Sequence, residues 1–283
     1  MSDWQTQAER RWAGTRLQRL EDPGMLTGAT RYVTDVQPPR MLEMAFARSH
    51  APNARIVSID LDPARSVAGV RAVIGPRDVA DVQPTVDIVH LDGALKTPRS
   101  TLPGDRVRYV GEPVAAVVAD DRYTAEDGAD AVIVDLEPLG DAEPIHDDIP
   151  DGRYFHQAAA HGDVDAAFDQ AQHVVRRRLH VQRVVTSPIE TCGIVADYDA
   201  ATGELTCYLS TQQPHLARAA LADAVGLPVS HIRIICPAMG GGFGGKEVML
   251  PEYLCAAVAA IRLRRPVRWV EDRTEALTAG AHG

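Results

Sequence analysis

Residues 232–247 read IRIICPAMGGGFGGKE and place five glycines and one phenylalanine in the six positions of Gly240–Gly245, the glycine loop. An apolar, strand-like run comes directly before this segment. Packing does not explain the loop, because glycine brings no side chain to a core and loses the most entropy on folding. Bare backbone with N–H groups in a row is typical of sites for anionic groups. The group that the loop holds therefore decides the function.

A dinucleotide site is one interpretation of the loop. Gly240, Gly242 and Gly245 satisfy G-x-G-x-x-G, the dinucleotide fingerprint. The acidic pair at 271–272 follows a later strand-like run, as the ribose-binding acid does in such folds. The fingerprint starts directly after its strand, however, whereas residues 236–239 intervene here and include a proline.

A phosphate loop is the second interpretation. Gly240, Gly245 and Lys246 fit the start of G-x-x-x-x-G-K-[ST], but Glu247 occupies the hydroxyl position. A carboxylate there repels phosphate, and the hydroxyl that binds magnesium is missing. A nucleotide-binding protein stays an alternative that ATP or NAD binding by the purified chain would support.

The third interpretation is a resemblance. AMGGGFGGKE (238–247) resembles the molybdenum-cofactor loop of the xanthine dehydrogenase and aldehyde oxidase family, which includes the aerobic carbon monoxide dehydrogenases. Four other stretches resemble the large subunit of that family, in the same order: RLEDPGMLTGATRYVTDV (19–36), RVRYVGEPVAAVVADD (106–121), GDVDAAFDQAQHVV (162–175) and LSTQQPH (209–215). The resemblance spans nearly all of the 283 residues, so the sequence is identified as a member of this family.

The resemblance implies an α+β fold in two parts. Residues 1–145 are predicted to form a hammerhead-type α/β domain with an N-terminal extension, and residues 146–283 the first portion of a mixed α/β molybdenum-cofactor-binding domain. The family's large subunit is far longer, and its catalytic base lies in a later part. We therefore expect an N-terminal portion, either a fragment or a naturally split chain, which is inactive alone and is completed by a polypeptide carrying the C-terminal half.

The resemblance also implies roles for single residues. Gly241, Gly242, Phe243 and Gly244 match the family's loop, whose N–H groups donate to the metal's oxo group and the pterin phosphate. The resemblance also implies that the Phe243 ring forms a wall of the substrate pocket. Gln212 matches the family's glutamine, whose uncharged amide can donate to an oxo ligand. The alternatives are a structural glycine turn and a polar residue at the start of a helix.

Three charged residues have open assignments. Glu247 stands near the substrate-orienting acid of purine-oxidising members, or it stabilises the dipole of a following helix. Lys246 pairs with the cofactor phosphate or with a surface acid, and Glu190 is predicted to be a buried structural acid. The catalytic candidates are thus Gln212, Phe243 and Glu247. No protein-ligated metal is predicted, because the ten histidines lack zinc-like spacing and the pterin holds the molybdenum in this family.

Composition narrows the partners and the compartment. A formal charge of −10, from 29 basic and 39 acidic side chains, argues against nucleic acid or an anionic membrane as the main partner. The four cysteines show no cluster-like spacing, so no iron–sulfur cluster is expected in this chain. The N-terminal residues MSDWQTQAERRW show no apolar h-region and no apolar run reaches membrane length, so we expect the cytoplasm, with export as a passenger on a signal-bearing partner as the alternative.

The family implies a molybdenum hydroxylase that oxidises an aldehyde, a purine, an N-heteroaromatic compound or carbon monoxide, with water as the oxygen source. The expected cofactor is molybdenum-molybdopterin in the cytosine dinucleotide form. Electrons would leave through an iron–sulfur small subunit and an FAD medium subunit. A non-catalytic fragment or scaffold module of such a complex is the alternative from another functional class.

Periodicity and turn residues predict the elements. The expected strands are 41–47, 55–61, 113–119, 131–136, 173–182, 193–198, 204–210, 231–235 and 267–272. The expected helices are 124–131 capped by Thr124, 163–172, 214–224 and 246–262. Residues 81–104 are expected to form a long loop and residues 137–161 a linker.

Overall fold

The computed structural model describes residues 16–82, 100–140, 159, 161–182 and 184–280. Most of the predicted loop and linker lie outside these residues. The strands are β1 (Leu42–Arg48), β2 (Ala54–Asp60), β3 (Val70–Ile74), β4 (Arg106–Val107), β5 (Pro113–Ala119), β6 (Ile133–Pro138), β7 (Gly193–Asp199), β8 (Glu204–Leu209), β9 (Ile232–Ile235) and β10 (Val267–Val270). The α-helices are α1 (Asp22–Leu26), α2 (Asp62–Arg65), α3 (Arg122–Asp130), α4 (Val164–Gln170), α5 (Pro214–Val225), α6 (Pro251–Leu263) and α7 (Arg273–Ala279).

A seven-stranded sheet in the order β3-β5-β1-β10-β7-β8-β9 forms the centre of the fold. The pairs β1–β10 and β8–β9 are parallel, and the other neighbours are antiparallel. Leu42 lies opposite Val267, so a strand from the first half of the sequence pairs with one from the second half. A separate three-stranded sheet has the order β4-β2-β6.

Strand β5 is buried at all seven positions. Ala116 and Val118 belong to the main core beneath α6, whereas Val117 packs with Ala129 of α3 on the other face of the sheet. Val114 contributes to a third cluster, with residues of β2 and β4. Cover on both faces explains why PVAAVVA is a continuous apolar run and not an alternating one.

Helix α6 is the central helix of the main core. Its residues from Glu252 to Ala260 are all buried, and the helix packs against β7 and β10. A helix that is apolar on every side is suited to such a position. Trp269 of β10 makes edge-on contacts with Phe46 and Tyr253, each with ring centroids 5.9 Å apart.

Two predicted helix starts are wrong. Helix α6 begins at Pro251 and not at Lys246, because the residues between them belong to the turn that closes the glycine loop. Proline at the first helical turn has no N–H to lose, which favours this start. Helix α3 is capped by Asp121, whose carboxylate accepts from the backbone N–H of Thr124 at 3.0 Å. Thr124 therefore lies inside the helix.

The strand predicted at 173–182 is also wrong. This segment lies outside any described strand and is exposed throughout, with Leu179 and Val181 more than four-fifths exposed. A β-pattern becomes a strand only where a neighbouring edge accepts its hydrogen bonds. None of the strands that the structure describes pairs with this segment. Strand β3, α2 and α7, by contrast, form where no element was predicted.

Arg48 joins the end of β1 to two helices. Its guanidinium donates to Glu252 of α6 and to Glu275 of α7, each at 2.6 Å, and to the Gly111 carbonyl at 2.9 Å. Burial alone would lower the pKa of Arg48, but the two carboxylates outweigh that effect and raise it.

Among the described residues, no helix combines the length and apolar character needed to cross a bilayer.

Replacing Arg48 with methionine should lower the free energy of unfolding by about 3–5 kcal/mol, because two buried carboxylates lose their partner. The matched control is Arg55→Met. Arg55 pairs with Glu137 but its side chain is 56% exposed, against 12% for Arg48. The control should cost about 0–1 kcal/mol. Urea denaturation of both variants measures the difference, and equal losses would contradict this account.

Candidate functional site

The site lies at one edge of the large sheet. Strands β8 and β9 are parallel, with Leu205 opposite Ile232 and Tyr208 opposite Ile235, so their carboxyl ends reach the same edge. The chain leaves β8 into Gln212 and leaves β9 into the glycine loop. The topology thus brings together two segments that are about thirty residues apart in sequence.

Gln212 is bonded to the loop at both its side chain and its backbone. Its Oε1 accepts from the backbone N–H of Gly244 at 3.1 Å and of Lys246 at 3.3 Å. Its own N–H donates to the Lys246 carbonyl at 3.0 Å. Because the oxygen faces the loop donors, the amide Nε2 turns the other way, where its partner is Glu247 Oε1 at a distant 3.5 Å. The amide keeps donor capacity for a ligand.

The glycines are required by close approach and by backbone conformation. A Cβ atom on Gly242 would lie 2.4 Å from Gln212 Oε1, which no side chain permits. Gly241 and Gly244 have φ angles of 100° and 87°, in the region that favours glycine. Phe243 has φ of 52° and is 71% exposed, with its ring against Gly241. The contact between the loop and Gln212 therefore requires these three glycines.

The N–H groups of Gly241, Gly242 and Phe243 make no hydrogen bond to any residue that the structure describes. Like the Gln212 amide, these three N–H groups are donors without charge. Uncharged backbone donors match oxo and phosphate oxygens. The predicted residues therefore lie together in an arrangement that fits an oxygen-rich anionic group.

Lys246 and Glu190 form a buried ion pair beneath the loop. Lys246 Nζ lies 2.8 Å from Glu190 Oε2, and the Lys246 side chain is fully buried. Lys246 therefore pairs with neither of the groups predicted for it, because its partner is an internal acid. Glu190 is the structural acid that the sequence predicted.

The structure removes one assignment of Glu247. The next helix begins at Pro251, so Glu247 lies in a turn and does not face a helix N-terminus. Its carboxylate is exposed beside the Gln212 amide. The substrate-orienting assignment stays a prediction.

The geometry also departs from a dinucleotide site. The loop passes into a turn before α6 and does not open a helix directly, as the dinucleotide fold requires. Glu271 Oε2 accepts from the Cys192 N–H at 3.0 Å, and Asp272 caps α7 through the Glu275 N–H at 2.6 Å. The two acids that resembled a ribose site therefore have structural partners.

Sequence reasoning missed three hydroxyl residues that support the loop. Ser210 Oγ donates to Glu190 at 2.8 Å, and Thr211 Oγ1 donates to the Lys246 carbonyl at 3.2 Å. A Cβ on Gly245 would lie 2.5 Å from Thr186 Oγ1. Ser210 and Thr211 directly precede Gln212, so their position at the end of the strand could have identified them from the sequence. No feature of the sequence points to Thr186.

The chain matches two family models. Residues 27–140 match the one described as aldehyde oxidase and xanthine dehydrogenase, a/b hammerhead domain, and residues 145–283 match the one described as molybdopterin cofactor-binding domain. Among the described residues, no group of three histidine, cysteine, aspartate or glutamate side chains is placed to hold a metal ion. The predicted boundary at residue 145 stays a prediction.

Curated relatives align along most of the chain. It is 37% identical over 280 residues to the nicotine 6-hydroxylase large subunit of Paenarthrobacter nicotinovorans, which covers 95% of this chain and 34% of that protein. It is 35% identical over 286 residues to the carbon monoxide dehydrogenase large chain of Hydrogenophaga pseudoflava, which covers 92% and 35%. The chain thus spans about a third of the length of the curated relatives it matches.

Solved structures also match this chain along most of its length. Quinoline 2-oxidoreductase from Pseudomonas putida 86 superimposes with a TM-score of 0.85 at 34% identity, over 95% of this chain and 36% of that one. CO dehydrogenase from Oligotropha carboxidovorans gives a TM-score of 0.81 at 36% identity, over 95% and 36%. These matches confirm the predicted α+β fold class, with its hammerhead and cofactor-binding parts.

Replacing Gly242 with alanine should displace the loop from Gln212, because the new Cβ overlaps the side-chain amide. We expect a loss of about 1–3 kcal/mol in the free energy of unfolding and a shifted Gln212 side-chain resonance in ¹⁵N NMR. The control is Gly104→Ala, whose Cβ would meet Pro76 at an ordinary 3.6 Å. That variant should stay within about 0.5 kcal/mol. An unmoved Gln212 resonance in Gly242→Ala would refute the contact.

Proposed function

The chain belongs to the aldehyde oxidase and xanthine dehydrogenase family, and we propose on that premise that it forms the cofactor-holding part of a molybdenum hydroxylase. The cofactor is molybdenum-molybdopterin, and its proposed site is the glycine loop with Gln212. When bound, this cofactor supplies the redox chemistry that hydroxylates an electron-poor carbon with oxygen from water. The residues of this chain bind the cofactor, orient it and shield it from water.

One observation carries the proposal. Three consecutive N–H groups, those of Gly241, Gly242 and Phe243, have no partner among the described residues. Backbone donors held in place by folding stabilise oxygen atoms with partial negative charge without having to reorganise. Gly244 has a φ angle of 87°, which glycine adopts without strain, and its N–H donates to Gln212 Oε1 at 3.1 Å. We assign these four residues to cofactor binding.

Gln212 is proposed to donate to an oxo ligand. Two loop N–H groups fix its Oε1, which leaves Nε2 to point away from Gly244 and Lys246. An amide donor carries no charge, so it can stabilise an oxygen ligand in both redox states without adding a fixed cation. The side chain thus acts as a held donor and not as an acid or base.

Phe243 and Glu247 are proposed to shape the substrate site. The Phe243 ring is exposed above Gly241, where it offers an apolar wall for a planar substrate. The exposed Glu247 carboxylate beside Gln212 can accept an N–H from a heteroaromatic ring. Among the substrate classes of the family, we therefore favour an N-heteroaromatic compound over an aldehyde, a purine or carbon monoxide. The relatives that act on nicotine and quinoline support this choice.

The complex is proposed to contain further polypeptides. The relatives' names call them a large subunit, a large chain and a subunit gamma of a dehydrogenase complex, which supports a multi-chain assembly. We propose an iron–sulfur small subunit and an FAD medium subunit, with the cytosine dinucleotide form of the pterin. The C-terminal half of the molybdenum subunit supplies the catalytic base. The cytoplasm is the proposed compartment, consistent with four cysteines that are free thiols.

Metal and pterin analysis of the protein purified from its native cell, with mass identification of the accompanying chains, tests the function. We expect about one molybdenum and one pterin per chain, together with iron–sulfur and flavin polypeptides. A chain that carries neither molybdenum nor pterin, yet still binds such partners, would instead support the scaffold alternative.

Gln212→Glu isolates the donor in the native complex. Glutamate keeps an oxygen for the Gly244 and Lys246 N–H groups but replaces the outward NH₂ with a second acceptor. Turnover should fall about 10²–10³-fold, the loss typical of one preorganised donor, while the pterin content measured beside it shows whether the cofactor is retained. Gln213→Glu makes the same charge change on the next residue. Equal activity of the two variants would overturn the assignment.

A further inference from the structure

We propose that Glu190 is the positioning residue of the glycine loop and that it acts on Gln212 through the backbone of Lys246. This inference rests on the proposed cofactor role of the loop. It assigns to the buried pair the task of holding the donors in place. It also assigns the binding of the anionic group to uncharged donors, because Lys246, the lysine that directly follows the loop, is already paired with Glu190.

A single oxygen atom of Glu190 gathers three donors. Its Oε2 accepts from Ser210 Oγ at 2.8 Å, from the Gly240 N–H at 2.9 Å and from Lys246 Nζ at 2.8 Å. The Glu190 backbone N–H also donates to the Gly240 carbonyl at 3.2 Å. Gly240 begins the loop and Lys246 follows its end. One carboxylate therefore ties both ends of the loop to the same point.

Burial makes this tie strong. The Lys246 side chain is fully buried and that of Glu190 is 12% exposed. Leaving either charge buried without its partner is costly, so the two side chains hold each other in place. Lys246 Nζ is thereby kept beneath the loop, and a phosphate on the outer side meets backbone N–H groups instead of an ammonium.

The tie reaches Gln212 through the backbone. Both the N–H and the carbonyl of Lys246 are bonded to Gln212, at 3.3 Å and 3.0 Å. Movement of the Lys246 side chain out of its buried position would draw this backbone away from Gln212. Gly244, which shares the same Gln212 oxygen, would follow. The charge on Glu190 thus fixes an amide that Glu190 does not touch.

The other oxygen of Glu190 makes a clean substitution possible. Glu190 Oε1 is buried and has no hydrogen-bond partner in the described part of the chain. In Glu190→Gln, the amide oxygen can replace Oε2 and keep the bonds from Ser210 and Gly240, with the NH₂ at the unbonded position. The substitution then removes the charge that pairs with Lys246 and little else.

Amide hydrogen exchange of the 283-residue chain without added cofactor tests the inference. In Glu190→Gln, exchange at Gly244 and Lys246 should quicken about tenfold or more, because local opening becomes easier. These two N–H groups bond to Gln212 and not to Glu190, so a purely local role would leave them unchanged. The β8 amides should stay protected, which shows that the chain is folded.

Two further variants complete the experiment. Glu43→Gln weakens another largely buried pair, with Arg268 in the β1–β10 part of the sheet, and should leave Gly244 and Lys246 exchange unchanged. The double variant Glu190→Gln with Lys246→Met removes both loop charges and should exchange more slowly at Gly244 than Glu190→Gln alone. Unchanged Gly244 exchange in Glu190→Gln, or an equal effect in Glu43→Gln, overturns the inference.

The outcome is independent of the proposed function. Faster loop exchange in Glu190→Gln supports the positioning role even if the native protein proves to contain no molybdenum and no pterin, a result that would refute only the proposed function. Conversely, a molybdenum-loaded native protein whose Glu190→Gln loop exchanges at the normal rate keeps its function and loses this inference.

Discussion

Parallel pairing of β8 with β9 is the constraint on which the site depends. It brings the ends of two strands to one edge of the sheet, where Gln212 and the glycine loop meet. Two further features maintain the contact between Gln212 and the loop. Gly242 has no Cβ atom that would block it, and the buried Lys246 side chain holds the end of the loop in place. Without the parallel register, the same residues would lie at different places on the sheet and could not form one surface.

The charged residues beneath the loop are distinct from the donors proposed to bind the ligand. Glu190 and Lys246 pair with each other beneath the loop, whereas the N–H groups that the described residues leave without a partner carry no charge. A buried pair is costly to form but difficult to rearrange, which suits a part that must hold its shape. Neutral donors suit a ligand whose charge changes during turnover, because they add no fixed charge of their own.

Local signals explain what could be predicted from the sequence. Strand β5 was placed at its observed bounds because its apolar run is long and ends at turn residues, and α5 was placed by Pro214 at its start. The loop and Gln212 were found by resemblance, not by spacing. The start of α6 and the partner of Lys246 depend on contacts between distant segments, and no local pattern encodes them. The exposed segment at 173–182 carries a strand pattern, but its conformation depends on a neighbouring edge that the pattern cannot supply.

The pairing of β1 with β10 has a consequence for how the molecule can be divided. The two family-model matches meet between residues 140 and 145, yet β3, β5 and β1 of the first continue into β10, β7, β8 and β9 of the second as one sheet, and Leu42 pairs with Val267 more than two hundred positions later. Neither region alone therefore contains the complete sheet that would let it fold as a cooperative unit. Either region expressed without the other would present an unpaired edge of its central sheet to solvent, and such edges associate with whatever strand they meet. Completion of the sheet must also wait for a contact between remote segments, which slows folding.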